Sequence, residues 1–262
     1  MTATLRVERE APFARVILAR PEVRNAFNAA LIAELRAAFE QLAAEPPELL
    51  RAVVLSGDGP TFSAGADLEW MRAAMTLGVE ENERDAADMQ AMFAAIDACP
   101  VPVIARVQGA ALGGGMGLCA VSDIVVATAD ATFGFTETRL GIIPAVISTF
   151  VIPKIGPSHA RALFATGQRF DADRAQRIGL VHQVVADETA LETTVDALLD
   201  ELRAAGPTAI RAAKSLVRTF EGLGAGAAGE RTPGLIARQR TSAEGQEGLA
   251  AFLEKRPPTW VG

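Results

Sequence analysis

The chain has 262 residues, 50% of them apolar, which is enough to fill one large core or a core with an appendage and excludes a disordered chain. Its 25 Lys and Arg stand against 32 Asp and Glu, a net charge of −7 that disfavours non-specific binding to nucleic acid or to an anionic membrane. Cys99 and Cys119 lie too far apart for a C-x-x-C pair and are too few for a disulfide framework, and His159 and His182 are too scattered to suggest a metal centre.

Residues 1–20 carry Arg6, Glu8, Arg9, Glu10, Arg15 and Arg20, so they hold no apolar signal core, and no run is long and apolar enough to span a bilayer. A protein of the reducing cytoplasm is expected. Residues 4–9 and 14–18 read as two short strands joined by residues 10–13. Asn28 is placed to cap a helix whose apolar positions Leu31, Ile32, Leu35, Phe39 and Leu42 keep the helical period until Pro46 and Pro47. Residues 52–55 then read as a buried strand, and residues 56–68, S-G-D-G-P-T-F-S-A-G-A-D-L, form a small-residue loop at its end.

Helical segments follow at 69–78 and 83–99, joined by an acidic linker, G-V-E-E-N-E. In the second, Ala87, Met92, Phe93 and Ile96 make an apolar face suited to a core or a lid. The β-branched run 101–107 leads into A-A-L-G-G-G-M-G-L-C-A-V-S-D at 110–123, where Met116 to Val121 reads as the first turns of a buried helix. A strand feeding a glycine turn that opens a helix aims free N–H groups and the positive end of the helix dipole at one point, which suits an anion or a developing oxyanion. The spacing of Gly113, Gly115 and Gly117 is neither G-x-G-x-x-G nor a phosphate loop. Two such loops, after residues 55 and 107, are what a two-donor oxyanion hole requires.

Residues 124–127 read as a strand. Glu137 lies beyond it among Phe133, Phe135, Leu140, Ile142 and Ile143, a context in which a buried carboxyl has its charged form disfavoured. A salt bridge to Arg139 is the alternative reading. Ser158 is placed to cap a helix to Thr166, Asp171 another ending at Gly179, and 180–185 reads as a strand. Helices are expected at 191–205, 208–221, 236–240 and 242–256, with 222–229 a flexible loop. The change from interleaved strands to nearly all helix marks a boundary near 190–200.

Taken together, R-N-A-F-N at 24–28, S-A-G-A-D-L at 63–68, V-Q-G-A-A-L-G-G-G at 107–115, S-D-I at 122–124, F-G at 133–134 and E-T-R-L-G-I-I-P at 137–144 resemble the crotonase family, the enoyl-CoA hydratases and isomerases. The resemblance implies an α/β fold, a spiral of ββα units over residues 1–195, with a helical region at 196–262 that builds homotrimers or hexamers. It implies an acyl-CoA thioester substrate and no separate cofactor, while the acidic balance and the lack of a spanning run leave no nucleic-acid or membrane partner expected. The thioester carbonyl would sit between the N–H groups of Ala66 and Gly114. The coenzyme would lie against Arg24, Ala26, Ala64, Asp67 and Leu68, with Lys255 in F-L-E-K-R-P reaching the phosphates from a neighbouring subunit.

One departure bears on the reaction. Straight-chain hydratases of the family carry two glutamates, and here the first of those positions is Gly117 in the substrate site, leaving Glu137 to move protons alone. G-G-G-M-G-L with E-T-R-L-G-I-I-P-A-V-I-S resembles bacterial hydratases of branched substrates such as 3-methylglutaconyl-CoA, an intermediate of leucine degradation. The expected activity is therefore a carbon–oxygen lyase adding water in a syn sense. The Δ3,Δ2-enoyl-CoA isomerases, which need a single glutamate, are the alternative, and a non-catalytic acyl-CoA or RNA binder is a third. Arg72 and Arg139 are candidate cations for a second substrate carboxylate. No G-x-S-x-G occurs, and Ser63 and Ser148 have no evident His partner for hydrolase chemistry.

Overall fold

A computed structural model describes residues 4–261. Its strands and helices run in chain order as β1 (Leu5–Glu10), β2 (Phe13–Leu18), α1 (Ala29–Ala43), β3 (Ala52–Gly57), α2 (Leu68–Ala74), α3 (Val79–Asp97), β4 (Val103–Val107), β5 (Ala110–Leu112) and α4 (Gly114–Val121). They continue as β6 (Ile124–Thr128), β7 (Thr132–Gly134), α5 (Ala145–Thr166), β8 (Arg169–Asp171), α6 (Ala172–Arg177), β9 (Gln183–Val185), α7 (Glu188–Ala204), α8 (Pro207–Phe220), α9 (Ala225–Thr241) and α10 (Ala243–Glu254).

The main sheet has the order β1-β2-β3-β4-β6-β9; β1 pairs antiparallel with β2 and every later pair is parallel. Parallel strands need both faces covered, and the sequence supplies this by alternation. Val16, Leu18, Val53, Leu55, Val103, Ala105, Val125 and Ala127 point to the main core. The intervening Phe13, Ala52, Val54 and Ile104 point the other way and are sealed by Val195 and Leu199 of α7. A domain boundary at residues 195/196 would therefore cut α7 in the middle of its packing on the sheet.

A second, three-stranded sheet, β5-β7-β8, lies outside the sequence expectation, because each strand is three residues long and too short to show a period. Other expectations shift. The acidic linker is no linker: it opens α3, where the Gly78 N–H donates to the Glu81 carboxylate at 3.0 Å. The helix expected from Ser158 begins at Ala145 and is broken at Gly156, φ 78°, just before Pro157, so Ser158 lies inside its second half rather than at a cap. The loop expected at 222–229 is taken up from Ala225 by α9. The strand expected over 180–185 shortens to Gln183–Val185. The caps at Asn28 and Asp171 form as expected, each side chain accepting from a backbone N–H of the first turn, and Ser242 caps α10 in the same way.

The last helices are tied back to the rest. Glu244 of α10 accepts from Thr208 and Ala209 N–H at 2.8 Å each, capping α8, and Lys214 of α8 donates to Asp123 at 2.5 Å and to the Val101 carbonyl at 3.0 Å. No helix of the described residues is long and apolar enough to cross a membrane.

Candidate active site

Two turns present unused backbone donors. The first follows β3. Ser63 N–H donates to the Ala110 carbonyl and Leu112 N–H to the Ser63 carbonyl, both at 3.0 Å, which zips this turn to β5. Phe27 N–H donates to the Gly65 carbonyl at 2.7 Å and Asp67 N–H to the Phe27 carbonyl at 2.9 Å. This is a parallel bridge between Phe27 and Ala66, a pattern that uses the Gly65 carbonyl as acceptor and the Asp67 N–H as donor and leaves the Ala66 N–H between them unused.

The second turn joins β5 to α4 through Gly113, at φ 50°, whose N–H donates to the Gly134 carbonyl at 3.0 Å. Gly114 is the first residue of α4 and has no carbonyl one turn behind it. Among the described residues, the N–H groups of Ala66 and Gly114 donate to no other group. The packing here leaves no room for side chains: a Cβ on Gly114 would lie 2.7 Å from the Phe27 ring.

Glu137 faces these turns. It opens a short 3-10 turn, Glu137–Leu140, that follows β7 and is closed by Gly141 at φ 76°. A methyl group at Gly113 would lie 3.5 Å from Glu137 Oε1. Oε2 is buried without a hydrogen-bond partner. Burial pushes the Glu137 carboxyl above the usual glutamate range, and its own backbone N–H only partly offsets this.

Ala64, Ala66, Gly114 and Glu137 line one cavity of about 670 Å³, together with Phe27, Trp70, Met71, Met89 and the stretch from Leu140 to Ile147. A carboxyl shifted toward its neutral form, two free N–H donors and an apolar chamber suit the polarisation of a carbonyl and proton transfer beside it.

Other residues singled out from the sequence lie elsewhere. Gly117 does not line the cavity. A Cβ there would lie 2.6 Å from Ile147 Cγ2 and 2.6 Å from Phe93 Cζ, so these two side chains fill the space an acidic residue would need. Asp67 is buried and committed to structure: it accepts from Glu69 N–H at 2.8 Å as the cap of α2 and pairs with Arg20 at 2.7 Å. Burial works to raise its pKa, but the Arg20 hydrogen bond and the capped N–H groups outweigh burial and hold it below the usual carboxylate range.

Leu68 opens α2 and is 74% exposed, outside the cavity lining. Ala26 is buried, and its carbonyl accepts from Arg20. Arg24 is exposed, and its carbonyl accepts from Ala64 N–H at 2.9 Å, so its backbone anchors the first donor turn. Lys255 ends α10 in the left-handed conformation, φ 56°, with an exposed side chain that lines no part of this cavity. Arg72 and Arg139 are likewise exposed and outside the lining.

The sequence reading missed the α3 wall of the cavity. Asn82, Asp85, Ala86 and Met89 face it at spacings of three, four and seven residues, a helical stripe concealed by starting the helix at residue 83. Met92, Phe93 and Ile96, by contrast, belong to the core. The histidines serve structure or surface: His182 Nδ1 accepts from Val125 N–H at 2.9 Å, and burial lowers its pKa. Among the described residues no group of three His, Cys, Asp or Glu is placed to hold a metal ion.

Residues 8–262 match the family model described as enoyl-CoA hydratase/isomerase. The chain is 37% identical over 212 residues to the enoyl-CoA hydratase AFT6-1 of Alternaria alternata, covering 81% of this chain and 68% of that protein. The crystal structure of an enoyl-CoA hydratase from Shewanella pealeana is similar at 36% identity and a TM-score of 0.92, over 98% of this chain and 96% of that one. Pseudomonas aeruginosa AtuE is similar at 39% identity and a TM-score of 0.94, over 99% of this chain and all of that one. The fold is thus that of the crotonases, and the chain belongs to the enoyl-CoA hydratase/isomerase family.

Proposed function

We propose that this protein is a hydratase of a branched 2-enoyl-CoA thioester, a carbon–oxygen lyase in which Glu137 is the sole acid/base and the N–H groups of Ala66 and Gly114 form the oxyanion hole. The observation that carries this reading is the convergence of a partner-less buried carboxyl and two unused N–H donors on one apolar cavity. With the thioester carbonyl against those donors, charge developing on its oxygen during attack at Cβ is met by fixed dipoles at little reorganisation cost. Glu137 takes a proton from water as the oxygen adds to Cβ, then returns it to Cα on the same face, so one carboxyl closes the cycle.

In this reading coenzyme A belongs to the substrate, and adding water to an enoyl thioester needs no separate cofactor. The motif from Glu137 to Ser148 supports a branched acyl group of the 3-methylglutaconyl kind. The positions of Arg72 and Arg139 outside the cavity leave the second carboxylate of that substrate without a cation from this chain. Homotrimers or hexamers are supported by the exposed apolar residues Val217, Phe252 and Leu253 at 72%, 81% and 78% exposure, and assembly is the route by which Lys255 would reach a coenzyme.

The walling-off of Gly117 also favours a second reading, double-bond isomerisation, which needs only one carboxyl. The test is to give the protein branched 2-enoyl and 3-enoyl thioesters and read products by mass. Gain of one water from the 2-enoyl substrate, lost in Glu137→Gln, supports the hydratase; double-bond migration without water uptake refutes it.

A further inference from the structure

Part of the cavity lining comes from α2 and α3, and among those lining residues one is charged. Asp85 is half-buried and lines the large cavity beside Trp70, Met71 and Met89. Asp85 and Trp70 also line a smaller cavity of about 260 Å³ between α1 and α3. In that smaller space Arg36 donates to Glu40 at 2.8 Å and is further offset by Asp88, so the nearest cation is already neutralised. The charged side chains lining the larger cavity are thus Glu137 and Asp85, both acids.

We propose that Asp85 is a specificity-determining residue that admits uncharged branched acyl groups and rejects those ending in a carboxylate. An acyl carboxylate entering the cavity gives up water, meets apolar walls at Trp70, Met71 and Met89, and faces a like charge at Asp85 with no cation to offset it. An uncharged acyl group meets the same walls as favourable contact surface. This rests on the reading of the cavity as the acyl site; it keeps the branched 2-enoyl class but replaces the carboxylate-ended 3-methylglutaconyl substrate suggested by the motif with an uncharged branched one.

The test uses saturated thioesters, which cannot be hydrated: 3-methylbutanoyl-CoA and 3-methylglutaryl-CoA, measured by calorimetry on the assembled protein. The uncharged ligand is expected to bind at least about ten-fold tighter, equivalent to about 1.4 kcal/mol. Asp85→Asn is expected to narrow that ratio about ten-fold by tightening the carboxylated ligand alone. Asp88→Asn, which alters only the smaller cavity, is expected to leave the ratio unchanged. Raising salt on the unaltered protein narrows the ratio as well, because the repulsion is partly screened.

Equal binding of the two ligands, preference for the carboxylated one, or an Asp85→Asn effect on both alike overturns the proposal. Binding of neither overturns it together with the thioester reading of the cavity. Discrimination between the saturated ligands without hydration of any enoyl thioester leaves Asp85 its role and overturns only the reaction.

Discussion

Replacing Gly117 by alanine tests whether packing closes that position to a side chain, as the proposed one-glutamate reading requires. The added methyl would sit 2.6 Å from Ile147 Cγ2 and 2.6 and 2.7 Å from two atoms of the Phe93 ring, all inside normal contact distance. The ring has little room to retreat, since it is fully buried and packs edge-on against Phe27 at 6.2 Å and against Phe150 at 6.0 Å between centroids. Overpacking of this kind costs about 1–3 kcal/mol, while Gly to Ala within a helix returns up to about 1 kcal/mol. The expected net loss of about 1–2 kcal/mol lowers the melting temperature by roughly 2–4 °C in a chain of this length. Thermal unfolding read by far-ultraviolet circular dichroism measures it. The cause is checked by a double-mutant cycle with Phe93→Leu, which removes the ring atoms: the methyl added by Gly117→Ala should cost less on that background, with a coupling of about 0.5–1 kcal/mol or more. A melting temperature at or above that of the unaltered protein, or the same cost in both backgrounds, would refute the packing argument. It would also return Gly117 to the status of an open position where a second acid was merely lost.

Glu137→Gln keeps the shape of the site and removes its base, so turnover of a 2-enoyl thioester should fall by roughly 10²–10⁴-fold in a steady-state assay while binding persists. Because burial raises the Glu137 pKa, the acid limb of kcat/KM should have its midpoint above the 4.5 of an unperturbed glutamate. The same shift makes the folded state bind the proton more tightly than the unfolded one. The stability cost of ionising Glu137 therefore grows as pH rises from the ordinary value through the raised one, and urea titrations should show that this increment vanishes in the Gln variant. Asp67→Ala removes a helix cap and leaves Arg20 unpaired, a loss of about 2–3 kcal/mol in urea unfolding, with KM for the thioester unchanged if Asp67 does not touch the coenzyme. The Asp67 pKa is depressed, so its stabilisation is present above the unfolded value and lost as pH falls through the folded one. Lys154→Met withdraws the ammonium that donates to the Cys119, Ala120 and Ser122 carbonyls at the end of α4, and a drop of about 1–3 kcal/mol on thermal unfolding is expected.

Much of the main sheet was legible because its strands are buried on both faces: residues 52–55 and 101–107 carry apolar runs long enough to be strands and too short to be amphipathic helices. The second sheet was not legible. Ala110–Leu112 and Thr132–Gly134 owe their strand geometry to pairing with one another, and Arg169–Asp171 to pairing with the latter, which is a tertiary effect without a local pattern. The first half of α5 was not expected from the sequence because its start carries no capping side chain. Pro144 stands in the capping place of I-I-P-A-V-I-S-T-F without a side-chain hydrogen bond, and the break at Gly156 puts the restart at Pro157 instead of at Ser158.

The chemistry of the site was legible where it depends on backbone. Glycines that must occupy positive φ or touch another chain segment leave a compositional trace, and both donor turns were found from it. Side-chain roles behaved differently. Glu137 stood out because its apolar neighbours in sequence are also close to it in space, through a turn of only four residues. Gly117 announced what was missing, but only packing shows that the loss cannot be reversed by one substitution: Phe93, more than twenty residues earlier in the chain, and Ile147, thirty residues later, close the position from opposite sides. Glu137 itself has no hydrogen-bond partner at Oε2, and burial raises its pKa, so the base role proposed for it rests on one carboxyl whose proton no neighbouring side chain shares.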